Sequence, residues 1–429
     1  MGRARHFLFL MAIGLAPVPA ALSVEPSGAI AILSAAAPEL PDLVDQAVRT
    51  YPSVDAARAS VRAAGADVKA ARWQRFPSIS VEGLLLDQSR RARQISASPQ
   101  TQAVVDQPLW TAGRISGGID RATARRDASL AAYDEAALNV ALSTSQAYFE
   151  LQRWVERTAV LSRSLAQHKD MVETMERRVA STVSPSSDLE LARTRALQIE
   201  QQVLQSDAQQ HAALSHLREL VGNPSLEVSR AAMVDHAWPA LVEGAVLDEA
   251  LVYSPQLQRL RFEASAAEAE AQIARASVYP QLSGQYSYSH AMGAQVGLAL
   301  KLQTDGGFAR VAAADAARLR VKSSALQVAA AERQLRDQLY STSRDYDSAT
   351  RRLRINASAV RSAQEVTDSF MRQFTSGRRT WLDVMNAVRE STSSEIDALE
   401  ARVAAEASLV RLLLLSGRWA PAPPMEEKS

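Results

Sequence analysis

The chain has 429 residues, of which 47% are apolar but only 5% aromatic, so alanine takes the place of the large rings that fill most globular cores. The formal net charge is +1 with no basic stripe, which excludes nucleic acid as a partner, since neutralising phosphates needs a concentrated cationic surface. There is no cysteine, which excludes disulfides, thiolate metal sites and a cysteine-linked lipid anchor.

Residues 1–23 read as a signal peptide: Arg3 and Arg5, an apolar run from Phe7 to Pro17, then small residues at Ala20, Ala21 and Ser23. No later stretch approaches the roughly 20 uninterrupted apolar residues of a membrane helix, so any membrane span is built of strands. The mature chain is a twofold repeat. Asp45, Ala47, Pro52, Arg58, Ala71, Arg72 and Pro77 recur as Asp248, Ala250, Pro255, Arg261, Ala274, Arg275 and Pro280 at one constant offset. Asp188 and Gly222 recur as Asp383 and Gly417 at a shorter one, which places a small deletion, and hence a loop, in the middle of the second copy. Repeat 1 covers 24–222, a linker covers 223–243, repeat 2 covers 244–418 and a tail covers 419–429.

Each repeat opens with a predicted helix of about thirty residues, stopped at Phe76-Pro77 and at Tyr279-Pro280 because proline disfavours helix at the residue before it. A β-hairpin follows, over about 77–112 and 280–304. From Pro280 to His290, Leu282, Gly284, Tyr286 and Tyr288 alternate with polar residues, and from Gln295 to Gln303, Val296, Leu298, Leu300 and Leu302 do the same. Ile79, Val81, Gly83 and Leu85 repeat the pattern in the first half, with a polar loop at 87–99 and a return strand around Ala103 to Leu109 that alternates less cleanly. Two faces, one apolar and one polar, over about ten residues are the signature of an outer-membrane strand.

Long helical hairpins come next, over about 115–221 and 308–416. Leu130, Tyr133, Ala137, Val140, Thr144, Ala147, Leu151, Trp154, Thr158, Leu161, Leu165, His168, Val172, Met175 and Val179 keep an alternating four-and-three spacing, which is a coiled-coil seam. The fold expected is mainly α with β: long antiparallel α-helical coiled-coil hairpins and four strands per chain. Four strands cannot close a barrel in lipid, so several chains must share one, and three chains sharing twelve strands close a ring without free edges. Two blander readings stand beside this one, a soluble sandwich for the strands and a periplasmic coiled-coil adaptor or structural protein for the seam.

The second helical tip, Arg372-Gln373-Phe374-Thr375-Ser376-Gly377-Arg378-Arg379-Thr380-Trp381-Leu382-Asp383-Val384-Met385-Asn386-Ala387, resembles the TolC family of outer-membrane efflux and secretion channels. Gln107-Pro108-Leu109-Trp110-Thr111-Ala112-Gly113-Arg114 and the repeat itself share the resemblance, which spans about Leu43 to Gly417. It implies a homotrimer with a shared barrel of twelve strands in outer-membrane lipid and a periplasmic helical tunnel. It also implies a periplasmic adaptor and an inner-membrane ABC or RND-type transporter as partners, with efflux or type I secretion as the task. Carried over by position, it implies a constricting acidic ring at Asp383 and an entrance latch of Arg379, Ser187 and Asp188, with Phe374 where a tyrosine often stands. Adaptor docking falls on the tips, at Thr182 and Val183 and at Ser376, Gly377 and Arg378, although Thr182 replaces an expected glycine and Leu302 an expected proline. A purely structural alternative remains for two of these: Thr380 and Asp383 as a helix-capping pair, and Asp188 as a complement to a helix dipole.

No catalytic constellation is present, so the chain reads as a non-enzyme without a cofactor. His168 sits at a seam position without a metal-spaced partner and reads as a packing residue. Gly113 to Gly118 and Gly306-Gly307 lack the lysine-hydroxyl pair of a phosphate loop. Trp73, Phe76, Trp110, Tyr279 and Phe308 flank strand ends, either as an interfacial girdle or as buried junction packing.

Overall fold

A computed structural model of the chain describes residues 37–84, 100–228, 243–289, 293–302 and 308–421. The proposed signal peptide, the 87–99 loop, Gly306-Gly307, most of the linker and most of the tail lie outside them. The order is α1 (Leu40–Thr50), α2 (Pro52–Trp73), β1 (Ser78–Leu84), β2 (Gln100–Trp110), α3 (Arg114–Ala180), α4 (Ser186–Val221), α5 (Glu243–Tyr253), α6 (Pro255–Ala276), β3 (Gln281–Ser289), β4 (Gly293–Lys301), α7 (Ala309–Thr375) and α8 (Trp381–Ser416). Helix lengths match between the halves: 11 residues in α1 and α5, 22 in α2 and α6, 67 in α3 and α7, and 36 in α4 and α8.

The single opening helix expected of each repeat is two. Pro52 and Pro255 break it, because the proline ring pushes the residue before it out of the helical region: Tyr51 has ψ 127° and Ser254 ψ 110°. Each proline then serves as the first residue of the following helix, where its missing N–H costs nothing. The long helices stop differently. Gly222 and Gly417 sit at φ 70° and 76° after α4 and α8, the left-handed cap that glycine adopts without a Cβ clash.

The strands form one antiparallel sheet in the order β1-β2-β3-β4. Its register carries Ile79 beside Val105 beside Tyr286 beside Val296, and Val81 beside Ala103 beside Tyr288 beside Ala294. These residues therefore share one face, with Leu298 and Leu300 continuing it, and Ile79, Val81, Val296, Leu298 and Leu300 are all exposed. The other face is polar, and at its centre Asp106 accepts hydrogen bonds from Ser283 Oγ (2.9 Å) and Gln285 Nε2 (2.8 Å). β2 alternates unevenly because Val104 sits on the polar face beside Ser80 and Ser287, and because the register slips between Pro108 and Trp110, which leaves Leu109 as an extra residue. Proline, which cannot donate to a ladder, is tolerated at such a bulge. Trp73, Phe76, Trp110, Tyr279 and Phe308 are exposed around the strand ends of the single chain.

Below the sheet α3 is the central rod, about 100 Å long at 1.5 Å per residue. It packs on α2, α4, α6 and α8, while α7 packs on α6 and α8. The seam read from the sequence is buried at Tyr133, Ala137, Val140, Thr144, Leu151, Leu161, His168 and Met175. A second buried stripe runs beside it, through Ala141, Tyr148, Gln152, Glu156 and Ser164, because α3 has helices on two sides. The largest apolar core lies midway along, where α1 (Leu40, Val44) and α5 (Val246, Ala250) pack with Tyr148 of α3 and Leu409 and Leu413 of α8. Close approach is possible where side chains are absent: a Cβ at Gly117 would come within 3.0 Å of Ile273 of α6.

Beside this core one arginine serves two carboxylates. Arg402 lies 3.4 Å from Glu156 across the α3–α8 contact, with side chains 17% and 3% exposed, and Glu406 follows one turn later. Burial pushes the Glu406 carboxyl up to about 7, with Arg402 opposing the shift and the Glu156 charge adding to it. A carboxyl whose folded pKa exceeds its unfolded value near 4.5 favours folding when protonated, so its contribution is present at low pH and is lost as pH rises to about 7. Resistance to chemical unfolding should therefore fall between about pH 4.5 and 7, by at most about 3 kcal/mol per chain. Denaturant titrations of Glu406→Gln should show that slope reduced, and an unchanged slope would remove Glu406 as its source.

Candidate pore entrance at the hairpin tips

Both helical hairpins turn through the same backbone motif. In the first, Thr182 N–H donates to Val179 O (2.9 Å) and Val183 N–H to Arg178 O (2.8 Å). In the second, Gly377 N–H donates to Phe374 O (3.0 Å) and Arg378 N–H to Gln373 O (2.9 Å). This is the Schellman ending, which needs one left-handed residue. Gly377 supplies it at φ 76°, whereas the first tip places Thr182 there at φ 58°. A β-branched residue in that region is strained, so the glycine missing from the sequence left its conformation behind. Val183 projects from this turn, 62% exposed, and Ser376 and Arg378 are exposed at the other.

A compact apolar cluster locks the two tips together. Met171 and Met175 of α3, Leu189 and Ala192 of α4, Phe374 of α7, and Trp381, Val384, Met385 and Val388 of α8 form it. Phe374 is inside this core, not at its margin: its ring lies 5.1 Å from that of Trp381, and the Arg178 guanidinium sits 4.6 Å over it. Arg178 also donates from Nε to Ser184 Oγ (3.1 Å), so it braces the first turn against the second hairpin. Arg178 was not singled out in the sequence; the signal available was only a basic residue in a helix's last turn.

Asp383 begins α8 as half of a capping box. Its backbone N–H donates to Thr380 Oγ1 (3.3 Å), while its carboxylate accepts from Thr380 N–H (3.3 Å) and from the Thr380 hydroxyl (2.8 Å). These bonds, the Thr380 hydroxyl foremost and the Arg379 charge behind it, hold its carboxyl below the usual carboxylate range. The capping alternative is therefore realised, and the carboxylate stays partly exposed beside it.

Arg379 folds back on its own hairpin. Its Nε donates to Gln373 Oε1 (3.3 Å), its Nη1 lies 3.7 Å from Asp383, and its guanidinium rests 4.2 Å over the Phe370 ring. No hydrogen bond or ion pair joins it to Ser187 or Asp188 among the described residues. Those two occupy the exposed first turn of α4, where Asp188 N–H donates to Pro185 O (3.2 Å) and its charge complements the helix N-terminus. The structure thus brings Arg379 to Asp383 and Phe374 to Arg178, and among the described residues no hydrogen bond or ion pair joins Ser187 or Asp188 to Arg379. His168 lies buried in the seam above, donating from Nδ1 to Ser164 O (2.8 Å), and burial lowers its pKa.

Comparison with known proteins places this architecture. Residues 43–223 and 246–418 match the family model described as outer membrane efflux protein. Among solved structures, the outer membrane protein VceC from Vibrio cholerae superposes with a TM-score of 0.76 at 20% identity, covering 89% of this chain and 96% of that one. The Neisseria gonorrhoeae MtrE outer membrane channel in its open state gives 0.74 at 17% identity, covering 89% of each chain. In sequence, the chain is 28% identical over 266 residues to the pyoverdine export outer membrane protein OpmQ of Pseudomonas putida, an alignment spanning 58% of this chain and 56% of that protein. With both repeats matched by one family model and the same fold recurring in those channels, the chain belongs to the outer membrane efflux protein family.

Proposed function

We propose that the chain is one of three identical subunits of an outer-membrane channel-tunnel, a passive gated conduit from periplasm to exterior. The observation that carries this is the sheet: an exposed apolar face, a polar face that holds Asp106, and no further strand on the outer edge of β1 or of β4 among the described residues. Such a sheet is stable neither in water, where its apolar face is bare, nor alone in lipid, where its edge N–H and C=O groups are unsatisfied. Three copies pairing β4 of one to β1 of the next satisfy both, with the polar face turned to a water-filled bore. The exposed aromatic residues at the strand ends then lie at the membrane interface.

In this reading the long helices continue the bore through the periplasm, and the tips meet a periplasmic adaptor and an inner-membrane ABC or RND-type transporter that supplies the energy. The family and the partly aligned pyoverdine export protein support efflux, and type I secretion is the alternative task. Thr182, Val183, Ser376, Gly377 and Arg378 form the docking points, and three Asp383 carboxylates form the constriction, focusing negative potential where the tips converge. Arg379 makes the closed state by exchanging its own-hairpin partners for Ser187 and Asp188 of an adjoining hairpin, and Phe374 holds the tip core from which it swings. An adaptor that binds the open arrangement more tightly would shift that balance.

Extraction from membranes should require detergent, and the purified protein should run as a trimer that conducts ions in planar bilayers; a salt-extractable monomer would reject the channel. Asp383→Ala should lower cation preference and weaken block by multivalent cations by about tenfold, and unchanged currents would reject the acidic ring. Arg379→Ser should raise closed-state conductance, with no rise counting against the latch.

A further inference from the structure

The turns where the helices meet the sheet carry cations and no acid. Arg72 stands in the last turn of α2 and Arg275 in that of α6, Arg114 opens α3, Arg310 lies in the first turn of α7, and Arg75 sits in the connection to β1. No carboxylate shares these turns, or the connections 74–77, 111–113 and 277–280, among the described residues, and Asp305 between β4 and α7 lies outside them. Helix dipoles account for only part of the pattern: Arg72 and Arg275 complement the C-terminal ends of their helices, whereas Arg114 and Arg310 oppose the N-terminal ends of theirs. Arg310 is engaged, its Nη1 donating to Ser277 O (2.8 Å). Arg72, Arg75 and Arg275 are exposed, and no ion pair or side-chain hydrogen bond holds them among the described residues.

What surrounds these free cations is apolar. In the first repeat they interleave with rings, Arg72-Trp73-Gln74-Arg75-Phe76, and the Trp73 and Phe76 rings meet at 5.0 Å as an exposed pair. Gln107 shares the apolar sheet face with Ala103 and Val105, and its Nε2 donates to Arg75 O (3.0 Å), which ties Arg75 to the lower rim of that face. The second repeat keeps Arg275 and Tyr279 at the matching positions but has Val278 where the first has Arg75. Water suits the guanidinium groups and not the rings, and hydrocarbon the reverse. A membrane interface accommodates both, with cations at headgroup depth beside the rings, and an unbalanced cationic cluster there draws anionic lipid in preference to zwitterionic. Given the membrane-embedded sheet proposed above, on which the inference rests, we propose that the corner formed by Arg72 and Arg75 binds the headgroup of an anionic phospholipid in the periplasmic leaflet, with Arg275 as a weaker second contact. Because Arg75 leads into the edge strand β1, the bound lipid lies beside the seam between subunits. Lys301 takes no part, since it stands on the polar face of the sheet.

Trp73, between the two arginines, is the natural reporter. The full-length protein is reconstituted in phosphatidylcholine vesicles that contain the same mole fraction of either brominated phosphatidylglycerol or brominated phosphatidylcholine, and quenching of tryptophan fluorescence is measured. The anionic quencher should act about twice as strongly as the zwitterionic one. That excess should vanish in Trp73→Phe, in Arg72→Gln combined with Arg75→Gln, and at high salt, while Arg275→Gln leaves most of it. Arg72→Lys combined with Arg75→Lys should keep it, and its loss there would mark a packing effect and count against the site. Equal quenching by the two lipids in the unaltered protein would overturn the inference, as would an excess that survives the double glutamine variant. Inorganic phosphate added at constant ionic strength should leave the excess in place; its disappearance would assign the arginines to free phosphate and overturn the lipid reading. If the double glutamine variant fails to assemble, the salt and lysine arms decide, and an excess untouched by salt rejects the proposal. Quenching by neither lipid means that the sheet is not in the bilayer, which sinks the channel reading and this inference with it, whereas equal quenching sinks this inference alone.

Discussion

The contact between α3 and α8 makes two helical hairpins into one body. It is built from small and hydroxylated residues, so the backbones approach closely and the polar groups that remain must find partners across the gap. They do: Ser164 Oγ meets Thr392 Oγ1 at 2.9 Å, Arg157 meets Glu400 at 2.7 Å and Arg163 meets Glu395 at 2.9 Å. A dry leucine seam would hold more tightly but would fix the hairpins less specifically in register. Everything else is hung from this contact, with α4 on the far side of α3, α7 on the far side of α8, the sheet above and the tip cluster below.

Charge is distributed along that body in layers with different jobs. At the tip, Asp383 is held ionised by Thr380 and Arg379. Between α3 and α8, Glu156, Arg402 and Glu406 lie largely out of water, where an excess carboxylate is costly and burial raises the Glu406 carboxyl.

Much of this was legible in the sequence because two periodicities do not overlap. Alternation at Gln281–His290 and Gln295–Gln303 and the seam from Leu130 to Val179 pointed to strands and rods, and prolines and glycines marked their ends. What the periodicity could not convey was how many neighbours a helix has. Gln152, Glu156 and Ser164 look like a solvated face of α3 until α8 is placed against them. Pro52 and Pro255 stand out in the sequence as repeat markers, whereas the backbone shows each of them splitting an opening helix in two. At the tip, the pattern of Thr380 and Asp383 was enough to foresee a capping box, whereas the fold-back of Arg379 onto Phe370 and Gln373 depends on packing that no spacing rule encodes.

The two open rims of the sheet bear on how such a chain reaches its destination. Between export and assembly, each copy carries unsatisfied strand edges and a sticky flat surface through a crowded aqueous compartment. Any other extended peptide is an acceptable mate for those edges. Delivery is therefore a race between correct edge pairing and clumping, and it is won by keeping free copies scarce and shielded until those edges are covered.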